Sequence, residues 1–142
     1  SLDRDGFVYR AGFDQTLSLP DWWGFGRSFV RAGYQVRAER SEGSDFDALG
    51  HLPSLTLGFA LPASSLVLLD LRNEWRGYDH STGQRDRDDT ILELSAALQK
   101  RFGAYWSADL SYRHTRRDSD SDGPPSGDYR RHVVELIAQL RF

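Results

Sequence analysis

The chain has 142 residues, a formal net charge of -3 and no cysteine. That length fits one domain, 1–142, and the charge balance offers no basic field for nucleic acid. The missing thiols exclude a disulfide framework and a cysteine-bound metal, and no apolar run reaches the roughly 18–20 residues of a membrane-spanning helix. The longest run, "SSLVLLDL", is broken by Asp70. The chain opens at Ser1 without a charged-then-apolar leader, so a signal peptide is expected to be absent or already removed.

A period of two recurs in seven segments, the pattern of strands with one apolar face. In the first, Phe7, Tyr9, Ala11, Phe13 and Leu17 alternate with Arg10, Gly12, Asp14 and Thr16. "PDWWGFG" (20–26) leads to the second, where Val30, Ala32, Tyr34 and Val36 alternate with Arg31, Gly33, Gln35 and Arg37. After the polar stretch "SEGSDFDALGH", Leu55, Leu57, Phe59 and Leu61 alternate with Thr56, Gly58 and Ala60. A tight turn, "PAS" (62–64), precedes Val67, Leu69, Leu71, Asn73 and Trp75, which alternate with Leu68, Asp70, Arg72, Glu74 and Arg76. Beyond "DHSTGQRDRDD" come Leu92, Leu94, Ala96 and Leu98 against Glu93, Ser95, Ala97 and Gln99. The leucines of "DTILELSAALQKRF" also recur near helical spacing, but the strand neighbours favour a strand. "FGA" (102–104) turns the chain into Trp106, Ala108, Leu110 and Tyr112 against Ser107, Asp109, Ser111 and Arg113. "RDSDSDGPPSGD" then leads to the last segment, where His132, Val134, Leu136, Ala138, Leu140 and Phe142 oppose Arg131, Glu135, Gln139 and Arg141.

Alternation alone does not say which face is wet, and a soluble barrel or sandwich has the same period. Three features favour a transmembrane barrel. The segments run to roughly 10–14 residues, against about 5–6 for an average strand and about 9–11 for a tilted membrane strand. Short connections alternate with long polar ones, as in barrels with short periplasmic turns and long external loops. Aromatics gather where two interfacial girdles would lie: Trp22, Trp23, Phe25, Phe102, Tyr105, Trp106 and Phe142 at the short-turn end, Phe7, Tyr9, Trp75, Tyr78 and Tyr112 nearer the other. The expected fold is therefore all-β, an antiparallel up-and-down barrel in the bacterial outer membrane. Seven strands is odd, whereas single-chain bacterial barrels have even counts, so at least one further strand is expected, N-terminal to these or from a partner chain.

The terminal Phe142, with Leu140, Ala138 and Leu136 before it, resembles the C-terminal strand of outer-membrane proteins, the signal read by the barrel assembly machinery. The last 60 or so residues also resemble the final hairpins of β-barrel porins associated with exopolysaccharide loci. They are similar, too, to the barrels of tetratricopeptide-repeat export proteins and to surface lipoprotein assembly modifiers. The residues that carry this are Arg87 with Asp88–Asp89, Leu110 and Tyr112, Ser119–Asp120, and Asp128–Tyr129–Arg130 with Val133. The resemblance implies a translocation or export channel in contact with outer-membrane lipid and lipopolysaccharide. It implies exopolysaccharide as cargo, or alternatively lipoprotein translocation or general porin activity. A soluble β-domain that binds a partner is the reading from another class.

Under this register the lumen is lined by Arg10, Asp14, Arg31, Arg37, Asp70, Arg72, Glu74, Arg76, Glu93, Asp109, Arg113 and Glu135. Such a face is either a conduit for an anionic sugar chain or a packed interior whose charges only satisfy one another. "DSDSDG" echoes the start of a calcium loop but lacks the glutamate at position twelve and the flanking helices, so no metal is expected. The histidines, His51, His80, His114 and His132, have no nucleophile motif beside them, and no phosphate-binding glycine loop occurs; neither catalysis nor a cofactor is expected.

Overall fold

In the computed structural model, the described residues are 6–21, 26–41, 47–79, 87–120 and 127–140. They form one antiparallel sheet of seven strands in sequential order: β1 (Gly6–Leu19), β2 (Ser28–Ser41), β3 (Asp47–Leu61), β4 (Ser65–Asp79), β5 (Arg87–Phe102), β6 (Trp106–Asp120) and β7 (Tyr129–Leu140). Each strand pairs with its sequence neighbours, and β1 and β7 are the two edges of an open sheet. The leucine-rich segment with the helical alternative is the strand β5.

The strands have 12 to 16 residues, longer than their apolar patterns indicate. Part of each polar stretch assigned to a loop is strand: Asp47–His51 opens β3, Arg87–Asp89 opens β5, and Arg117–Asp120 closes β6. Backbone pairing needs no apolar face, so the ladder continues where the hydrophobic signal stops. Pro53 lies inside β3 although it cannot donate to a ladder. Its effect is local: the β3–β4 pairing lapses at Leu52 and Pro53 and resumes at Ser54↔Arg72.

The two short turns differ in chemistry. Ala63 and Ser64 hold left-handed φ values of 56° and 57°, closed by the Leu61↔Ser65 pair. In the other, Gly103 takes φ 68° without a side-chain penalty, and Phe102 pairs with Trp106 in the strands rather than belonging to the turn.

The sheet curls. A single cavity of about 600 Å³ touches Asp14 of β1, Gln35 of β2, Ser54 of β3, Arg72 of β4 and Glu93 of β5. A flat sheet spreads five strands over roughly 19 Å and encloses nothing. Glycine permits the bend: a Cβ on Gly12 would stand 2.6 Å from the Tyr34 carbonyl oxygen, and one on Gly58 would enter the Phe29 ring. The alternation puts the charged face on the concave side. Large apolar side chains cover the convex side, and among the described residues Ala48 is the one buried apolar residue.

Candidate functional site

The concave face is a grid of polar rows set by the pairing register. In one row Thr56, Asp70 and Ser95 are cross-strand partners. Thr56 Oγ1 donates to Asp70 Oδ1 at 2.7 Å, and Ser95 Oγ reaches Asp70 Oδ2 at 3.4 Å, so the carboxylate is held from both sides. Towards the long-connection end, Arg113 lies 3.9 Å from Glu93, and Arg76 Nε donates to Glu74 at 3.0 Å while its Nη1 reaches the Tyr78 hydroxyl at 3.3 Å. Arg117 Nη2 donates to Asp89 at 2.6 Å, and Asp89 is only 1% exposed. On the β1–β2 side, Arg31 donates to Thr16 at 3.0 Å and stands 4.0 Å from Asp14, and Arg37 pairs with Glu39.

A second set of charges is left over. Arg10, Arg72, Asp109, Arg131 and Glu135 make no side-chain hydrogen bond or ion pair among the described residues. Arg72 borders the 600 Å³ cavity with Asp14, Glu74 and Glu93. The centre of the trough thus offers the Arg72 guanidinium beside the Ser54 hydroxyl, the Gln35 amide and the loosely paired carboxylates of Asp14 and Glu93. Chemically, this set can replace water around a hydroxylated or charged chain.

Pairing parity puts all twelve lumen residues expected from the sequence on this one face: Arg10, Asp14, Arg31, Arg37, Asp70, Arg72, Glu74, Arg76, Glu93, Asp109, Arg113 and Glu135. Thr56, Ser95, Asp89 and Arg117 join them. The last two continue the parity of β5 and β6, and only their assignment to loops hid them. Tyr78 also lies on the concave face, bonded to Arg76, rather than among outward-facing interfacial aromatics. Trp75 and Trp106 do face outward, 49% and 54% exposed. Leu136, Ala138 and Leu140 lie on the convex face of β7, with Leu136 72% exposed. Trp22, Trp23, His80 and Phe142 lie outside the described residues, as does the second half of the "DSDSDG" stretch; its Asp118–Asp120 part is strand. Among the described residues, no three His, Asp or Glu side chains converge as a metal site.

The apolar band crosses the strands obliquely. One cross-strand row runs Leu17–Val30–Leu57–Leu69–Ala96–Tyr112–Val134. In β1 it lies near the turn end of the apolar series Phe7 to Leu19. In β6 and β7 it is the upper border, above which come His114 and Arg116, His132 and Arg130. A slip of roughly one residue per strand, at about 3.4 Å per residue and about 4.8 Å between strands, corresponds to strands tilted by about 35–40° against the band.

No family model, curated protein or solved structure matches the chain. No helix among the described residues is long and apolar enough to cross a membrane, a test that does not address strands.

Proposed function

We propose that this sheet is part of the wall of a bacterial outer-membrane β-barrel that forms a translocation or export channel, with a polysaccharide as its cargo. One observation carries the reading: the sheet is inside out for water. Phe13, Leu136 and Val134 are 73%, 72% and 70% exposed on the convex side, while Glu74 and Arg76 are 17% and 18% exposed on the concave side. An apolar surface of this extent needs a covering, and lipid is the covering that suits a tilted band. The tilt inferred from the band matches the 35–45° range of transmembrane barrels.

β1 and β7 run in the same direction, so antiparallel closure takes an odd number of further strands, whichever chain supplies them. In lipid both edges need such partners, because unpaired backbone groups there cost several kcal/mol each. The free arginines of the trough suit an acidic sugar chain, which slides if each contact is weak and hydrated. The test is purification followed by planar-bilayer recording. The reading expects a detergent requirement, heat-modifiable gel mobility, and a conductance blocked by an anionic polysaccharide. A protein monodisperse in buffer without detergent would sink it.

A further inference from the structure

The convex face carries one cluster that a lipid-facing wall does not need. At the upper border of the apolar band, His114 is the cross-strand partner of His132, and one step above, Arg116 is the partner of Arg130. The two imidazole centroids are 4.5 Å apart. Arg116 is partly offset by Asp118 on its own strand, 2.9 Å away, while Arg130 makes no side-chain hydrogen bond or ion pair among the described residues. Like charges set opposite each other across two strands are destabilising unless an anion lies between them. His132 Nδ1 is engaged by the Tyr112 hydroxyl at 2.8 Å, which orients the ring and leaves Nε2 for an outside group. The same Tyr–His arrangement occurs at Tyr34 and His51, 2.6 Å apart, but there it has no arginine pair above it.

Beside the cluster, towards β3 and starting one row below the arginines, is an apolar depression of about 390 Å³ lined by Leu55, Leu69, Leu71, Leu94, Ala96 and Tyr112. Leu94 is the row partner of His114, and Ala96 that of Tyr112. Ala96 is the small side chain among leucines that leaves the space open. Cations and imidazoles stand at one end, the apolar depression opens beside them, and Tyr112 touches both.

Resting on the barrel reading, we infer that this is a binding site for one phosphorylated glycolipid of the outer leaflet, the lipid A class. A headgroup phosphate lies between Arg116 and Arg130, with His132 as a further donor, and an acyl chain fills the depression over Ala96. Arginine suits this role because its planar fork meets phosphate oxygens two at a time.

The experiment is native mass spectrometry of the detergent-folded protein with added lipid A, dephosphorylated lipid A, or inorganic phosphate. The expected result is retention of one lipid A, with at least roughly tenfold weaker retention of the dephosphorylated lipid. The double variant Arg116→Gln/Arg130→Gln is expected to lose that preference, and Ala96→Phe to weaken both lipids. Lys100→Gln, which removes an outward cation at the opposite end, is expected to change neither. Inorganic phosphate that displaces lipid A would show the anion contact to be the anchor. Equal retention of both lipids by a heat-modifiable protein would overturn the site and leave the barrel standing. A chain that folds without detergent would overturn both.

Discussion

The two faces of this sheet are built from the same strands and obey opposite rules. On the convex face large apolar side chains stand open: Phe7, Phe13, Val134 and Leu136 on the edge strands are all about 70% exposed, and Leu69 and Leu71 in the centre 40%. On the concave face, part of the charge is drawn inward: Asp89 is 1% exposed, and Arg37 and Glu39 are 25% and 24% exposed, whereas Asp14 and Arg113 stay open at 69% and 61%. In water this partition is the wrong way round, since burial of apolar surface is the main favourable term of folding and burial of charge opposes it. The ladders and polar rows therefore hold the sheet, and in the proposed barrel its apolar side chains would be covered by lipid. The concave charges differ among themselves as well. Those towards the long-connection end, Asp89 with Arg117 and Glu74 with Arg76, are ion-paired and enclosed, while Arg72 and Arg10 have no side-chain partner among the described residues.

The comparison breaks most sharply if charge is moved to the wrong face. Leu69→Arg, at the middle of the convex band, is expected to destabilise the protein in lipid vesicles by about 2–4 kcal/mol. Ser95→Arg, on the neighbouring strand but facing inward, is expected to cost far less; urea unfolding of both variants in vesicles decides this. Next in size is the enclosed pair. Arg117→Met leaves the Asp89 carboxylate without its 2.6 Å partner, with an expected loss of about 3 kcal/mol in the same assay. The curl comes third. Gly12→Val meets the Tyr34 carbonyl, and about 1–3 kcal/mol is expected, together with altered channel conductance if the bend sets the bore. Smallest is Glu93→Gln. Its arginine is 61% exposed and 3.9 Å away, so stability is expected to move by no more than about 0.5 kcal/mol. Arg72→Glu sharpens the functional side: no large stability change, but a shift of ion selectivity from anions towards cations, read as a reversal potential across a salt gradient.

Strand number, order and the shared facing of side chains within the alternating segments were legible, because a side-chain period of two leaves only one choice of face per strand. Leu69, Leu71 and Trp75 against Asp70, Arg72 and Glu74 illustrate it. Strand ends were not legible. From Arg113 to Asp120 both faces of β6 are polar, so the apolar alternation disappears while the backbone goes on pairing with β5. The same blindness hid Asp89 and Arg117 from the site, and it made Tyr78 look interfacial, when its parity is that of Arg76.

By itself, then, the sequence determined that there are seven amphipathic strands, with charges on one face and aromatics and leucines on the other. Only the tertiary structure decided which face is concave, which charges are paired and which are free, and how far the apolar band slips from strand to strand. The reason is physical. Alternation is a property of one strand and is written in consecutive residues. Curvature, register and pairing are properties of neighbouring strands, set where Gly12 lets a backbone come close and where Asp70 finds a hydroxyl on each side.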